Sequence, residues 1–102
     1  MNNYQLIQSD QGQYQLTGVL TKQTVTRLWQ QRNELIAKEN NLIIDLAGVT
    51  HSDSAGLALL TCLQKEAIHA KQSLSFINYP LQIKQLIELS HLEDILNPAQ
   101  GL

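Results

Sequence analysis

Hydrophobic and polar positions alternate at the start of the chain, with Tyr4 and Leu6 and then Tyr14 and Leu16 on one side. The turn signal Asp10-Gln11-Gly12 lies between the two runs. A period of two on either side of a glycine turn predicts a β-hairpin, Tyr4 to Gln8 with Gln13 to Leu20, half exposed to solvent. Thr21 then offers a cap oxygen, and Val25, Leu28, Trp29, Leu35 and Ile36 follow at helical spacing, which predicts a first helix to Lys38. Leu42-Ile43-Ile44-Asp45-Leu46 carries apolar residues at successive positions, the pattern of a central strand covered by helices on both sides. From Gly56 to Lys71 the period returns to that of a helix, with Leu60, Leu63, Ala67 and Ala70 on its buried face. Leu74 to Asn78 predicts another strand, and Pro80 starts a third helix whose buried side is Ile83, Leu86, Ile87 and Leu89. Strands that alternate with helices imply right-handed crossovers and a sheet with parallel members, the α/β class.

Composition adds limits. The 102 residues match the size of one domain, and no linker, repeat or charge block interrupts them; thirteen glutamines are too dispersed to form a low-complexity tract. The single Cys62 cannot close an internal bridge, which points to a reducing compartment. The N-terminus lacks a basic stretch followed by an apolar run, and no segment approaches the roughly 18 apolar residues of a membrane span, so a cytoplasmic location is expected. A net charge of -2 with mixed signs gives no footprint for a phosphate backbone or an anionic bilayer. Nucleic acid is not an expected partner.

The most informative stretch is Ala47-Gly48-Val49-Thr50-His51-Ser52-Asp53-Ser54-Ala55-Gly56-Leu57-Ala58-Leu59-Leu60, between the central strand and the second helix. It resembles the core motif of the STAS domain, shared by anti-sigma-factor antagonists and sulfate-transporter tails. In that motif a strand ends in Asp-Leu, a Val follows three residues on, and Asp-Ser-x-Gly-Leu opens a helix. Gly18-Val19-Leu20-Thr21 is similar to the family's entry to its first helix, and Pro80 to Leu96, with Leu86, Leu89-Ser90-x-Leu92 and Leu96, to its terminal helix. The resemblance spans residues 1–102 and implies a STAS-like single domain, with a small mixed sheet of about four strands and three or so helices.

Within the family, Leu28-Trp29-x-x-Arg32 and Gly56-Leu57-Ala58-Leu59-Leu60 resemble the small free-standing subunit of Gram-negative phospholipid-transporting ABC complexes, which maintain outer-membrane lipid asymmetry. That likeness implies a non-catalytic subunit bound to the transporter's ATPase, and through it to the permease, at the inner face of the inner membrane. It also implies no cofactor and no direct binding of lipid. The alternative is an anti-sigma-factor antagonist switched by serine phosphorylation. The residue such members phosphorylate corresponds to Ser54, although Ala55 stands where they carry Ser or Thr.

Two physical roles are open for the corner. Ser52, Asp53 or Ser54 can cap the second helix, and the helix N-terminus can also receive a partner's anionic group. At 100° per residue, Ser54, Ala58, Thr61 and Lys65 share one outward stripe opposite the buried one. With Ala55 and Gly56 at its head, this stripe is a candidate docking face, its alternative being ordinary solvated surface. Trp29 and Arg32 in the first helix are candidate contacts beside it, as residue types enriched at interface hot spots, or else a core-edge Trp with an Arg laid along it. Asp45 is expected to bond nearby loop or backbone donors, since it is costly to bury unpaired. His51, His69 and His91 lack ligand spacing, which excludes a zinc motif. Cys62 is expected as a small packing residue on the rim of the second helix. For an enzyme, Ser54 would have to be a nucleophile, but Ser52 occupies the position where a nucleophile elbow needs Gly, and no phosphate-binding loop occurs.

Overall fold

A computed structural model describes residues 3–34 and 41–96. The hairpin forms as β1 (Tyr4–Asp10) and β2 (Gln13–Leu20), paired antiparallel. Gly12 takes the left-handed conformation at φ +73°, and Asp10 Oδ1 accepts the Gln11 N–H at 2.8 Å, so the turn residues act as their chemistry requires. β3 (Asn41–Ser52) then runs parallel to β2, and β4 (Ser73–Ile77) parallel to β3, giving a mixed sheet in the order β1-β2-β3-β4.

β3 does not follow the expectation of a strand covered on both sides. Leu42, Ile44, Leu46 and Val49 are buried, while Ile43 is 36 % exposed and Ala47 and Thr50 are exposed. Tyr14 and Leu16 of β2 and Leu74 and Phe76 of β4 are buried with the first set. The alternation shows a two-layer domain in which the described helices cover one sheet face and the other meets solvent. Three consecutive apolar residues concealed this period of two. Asp45 lies on the open side, where its Oδ1 accepts the Ala47 N–H at 2.9 Å and an Asn78 Nδ2–H at 3.1 Å, the bonding expected for it.

The first helix, α1 (Lys22–Gln30), is shorter than its periodicity implied. Thr24 ends the ladder cleanly: its Oγ1 accepts the Thr21 N–H at 3.0 Å and its hydroxyl donates to Val19 O at 2.7 Å, which accounts for a buried threonine. At the other end Gln31 forms a turn, and residues 32–34 are again helical. Leu35, Ile36 and Lys38 lie outside the described residues.

α2 (Ser54–His69) packs Leu57, Leu60, Leu63 and Ala67 on the sheet and adds a buried polar residue, Gln64, whose Nε2 donates to Leu74 O at 2.8 Å. Ala70, expected on the buried face, is the exposed C-cap, because the helix ends there and Lys71 turns left-handed at φ +60°. α3 (Leu81–Ser90) follows Pro80, buries Ile83 and Ile87, and leaves Leu86 half-buried. Leu89 departs from expectation and is 78 % exposed, since only the stripe three and four residues apart faces inward. His91, left-handed at φ +56°, ends α3, and α4 (Glu93–Leu96) brings Leu96 into the core. Tyr79 donates its hydroxyl to Leu96 O at 2.7 Å, and burial pushes its phenol well above the ordinary range, so it remains a donor that pins α4.

Gly18 sits at φ +99°, between irregularities in the β2–β3 pairing. A Cβ there would collide with Asn3 O and stand 2.9 Å from Tyr4 Cα. The variant Gly18→Ala is therefore expected to lose about 2 kcal/mol of unfolding free energy, from a strained left-handed residue plus the collision. A urea midpoint equal to that of the wild type would refute this account of the bulge.

Candidate functional site

β2, β3 and β4 end on the same edge of the sheet, and each hands over there to a helix, at Thr21, Asp53 and Pro80. In open α/β sheets this carboxyl edge is where ligands commonly bind. β3 reaches Ser52 before α2 begins, so the expected loop is really the last half of a strand and a one-residue cap. Asp53 is the capping residue among the three candidates. Its backbone is extended (φ −107°, ψ −169°), and Oδ1 accepts from the N–H of Ala55 at 2.9 Å and of Gly56 at 3.4 Å.

Gly56 explains how close α2 comes to the sheet. A Cβ at this position would collide with Ser52 Oγ and stand 3.0 Å from Leu20 O, so only glycine lets the first turn rest on the ends of β2 and β3. Both Gly56 and Ser52 are thereby buried, Ser52 to 4 % exposure. Their placement corrects the expectation that they are docking surface: they support the corner from beneath. Asp53 and Ser54 are exposed above them and Ala55 is half-buried. Along α2, Ala58 and Lys65 are exposed and Thr61 half-buried, which gives the outward stripe its expected direction.

An open groove of about 340 Å³ lies between α1 and α2, lined by Val25, Thr26, Trp29, Ala55, Ala58, Leu59 and Cys62. Trp29 is half-buried and packs against the core, so it takes both of its proposed placements, core edge and groove wall. Arg32 does not project from α1, because the helix has already ended. Its guanidinium lies 4.1 Å from the centroid of the Trp29 ring, Nη1 donates to Trp29 O at 2.9 Å, and Nε donates to Glu66 Oε1 at 3.1 Å. Arg32 is thus committed within the chain, closing α1 and tying it to α2, so of its two expected roles the structure shows the Arg laid along a core-edge Trp.

Cys62 is exposed in the groove wall, contrary to its expected packing role. The groove also includes Thr26 and Leu59, which the stripe centred on Ser54 missed. By helical geometry Ala55, Ala58, Leu59 and Cys62 form a second stripe roughly 80° around α2 from the first. A wider apolar and small-residue sector would have found it from sequence.

Residues 6–97 match the family model described as "Mlab, STAS domain". The chain belongs to the STAS domain family. Solved structures similar to this STAS domain include the anti-sigma factor antagonist SpoIIAA in its unphosphorylated form, with 14 % identity, a TM-score of 0.72, and 98 % of each chain covered. The Bacillus cell fate determinant SpoIIAA in the phosphorylated form is similar at 15 % identity and a TM-score of 0.70, covering 92 % of this chain and 88 % of that one. At such identities the likeness is one of fold. No curated protein matches the chain. The described residues include no cluster of three or more metal-ligating side chains, and no described helix is long and apolar enough to cross a membrane.

The Arg32–Glu66 pair is partly open to water, with side chains 27 % and 38 % exposed, so its own contribution is small. The variant Glu66→Gln is expected to cost at most about 1 kcal/mol in denaturant unfolding, while Trp29→Ala, which also empties the groove wall, costs about 3 kcal/mol. Equal losses for the two would show that the ion pair, and not the indole, joins α1 to α2.

Proposed function

We propose that this STAS domain is a non-catalytic interaction subunit that docks through the exposed corner, Asp53 to Ala55, and the neighbouring α1–α2 groove. The observation that carries this reading is the meeting of the two at Ala55 and Ala58: small residues let another chain approach closely, and Trp29 supplies a large apolar wall. Ser54 has none of the apparatus of a nucleophile. No histidine bonds to it among the described residues, and Asp53 is engaged in capping the helix.

The partner we assign is the ATPase subunit of a phospholipid-transporting ABC complex, an MlaF-like protein, and through it the inner-membrane permease that serves outer-membrane lipid asymmetry. The match to the family model described as Mlab and the Leu28-Trp29-x-x-Arg32 pattern support that assignment. On this reading the protein lies in the cytoplasm against the inner face of the inner membrane, without a cofactor and without touching lipid itself. A second reading, an anti-sigma-factor antagonist, is favoured by one observation: Ser54 is exposed at the first position of α2, where a kinase could reach it, in a fold shared with both phosphorylation forms of SpoIIAA.

Capture from native membranes separates the two. With the full chain as bait, recovery of an ABC ATPase with its permease supports the transporter subunit, and recovery of a serine kinase with a sigma factor replaces it. The variants Ser54→Glu and Ala58→Arg are expected to lower capture by about a hundredfold while leaving the melting temperature within about 2 °C of wild type, since both side chains already face solvent. Undiminished capture by both variants would move the docking surface away from this corner.

A further inference from the structure

β3 is paired unevenly at its end. On one side it stays registered with β2 as far as Leu20 opposite Ser52, while on the other its pairing with β4 stops at Asp45 opposite Ile77. Leu46 to Ser52 therefore run past β4. The Asp53 N–H points toward β2, donating to Leu20 O at 3.2 Å, and because successive strand amides alternate in direction the Ser52 N–H points toward the side that β4 has vacated. There it donates to Gln82 Oε1, from the first turn of α3, at 3.1 Å.

This bond also fixes the direction of the Gln82 carboxamide. An N–H can be met only by the amide oxygen, so the oxygen faces Ser52 and the Nε2 group, with two donors, faces away. Gln82 is exposed, its Nε2 has no partner among the described residues, and Leu81 beside it is 70 % exposed. A donor held in one orientation, one residue removed from the Asp53 cap, is a preorganised recognition group.

Building on the reading of the corner as a docking site, we propose that Gln82 is part of it: Oε1 fixes the end of β3, and Nε2 donates to a carbonyl or carboxylate oxygen of the partner ATPase. The docking surface then extends from the α1–α2 groove across the head of α2 to the first turn of α3. The specific chemistry expected of the partner is a hydrogen-bond acceptor facing α3.

Two variants separate anchoring from contact. Gln82→Ala removes both functions, so the Ser52 amide should exchange with solvent about three- to tenfold faster and capture of the ATPase should fall about tenfold. Gln82→Glu keeps an acceptor for Ser52 but replaces the outward donor with negative charge, so Ser52 exchange should stay within about twofold of wild type while capture falls at least tenfold. Wild-type capture by Gln82→Glu, or unchanged Ser52 exchange in Gln82→Ala, would overturn the proposal. If the wild-type chain recovers a serine kinase and no ATPase, the transporter reading fails and this proposal with it, whereas an ATPase captured equally well by Gln82→Glu overturns the proposal alone.

Discussion

The carboxyl edge of the sheet in this STAS domain depends on the close approach of α2. Gly56 rests against Leu20 and Ser52 with no room for a side chain, and this contact sets the height at which Asp53, Ser54 and Ala55 stand above the strand ends. The rest of the corner is arranged around it. Asp53 caps the turn that Gly56 makes possible, Leu20 O accepts the Asp53 N–H, and Gln82 holds the neighbouring amide from the opposite side. A helix lifted by even a methyl group would lengthen first the bond from the Asp53 N–H to Leu20 O, already 3.2 Å, which joins the head of α2 to β2.

Local patterning conveyed most of the element order. The hairpin, the two parallel strands and the helix beginning at the corner were all legible, because turn glycines and switches of period are properties of neighbouring residues. What it missed were features set by the whole fold. Whether Ile43 is covered depends on which sheet face the helices choose, and Ile43 itself cannot announce that choice. Arg32 was open to two readings, a partner contact or an Arg laid along Trp29, and only the fold shows that Trp29 and Glu66 claim it. Gln82 lies thirty residues from Ser52 in sequence and has no distinctive neighbours, so the bond between them was invisible from either end.

The site was legible to a similar degree. Asp53 as the cap and Ser54 as the exposed head of the outward stripe follow from the motif and from helix geometry. Ser52 and Gly56 share that motif but lie beneath the surface, which shows that a sequence signature can mix residues that build a corner with residues that present it. Membership of the family establishes the shared scaffold. On the docking proposal, the choice of partner would rest on the shallow groove and on the side chains at its rim, which are free to differ between relatives with the same fold.

The Gln11-Gly12 turn begins β2, whereas the corner lies at that strand's other end, so the two are separated by about 25 Å along eight residues of strand. The corner and the hairpin turn therefore stand at opposite poles of β2. A fluorophore or affinity tag carried on the hairpin turn would stand clear of any partner docked as proposed at α2, and its signal would report such an assembly without disturbing it.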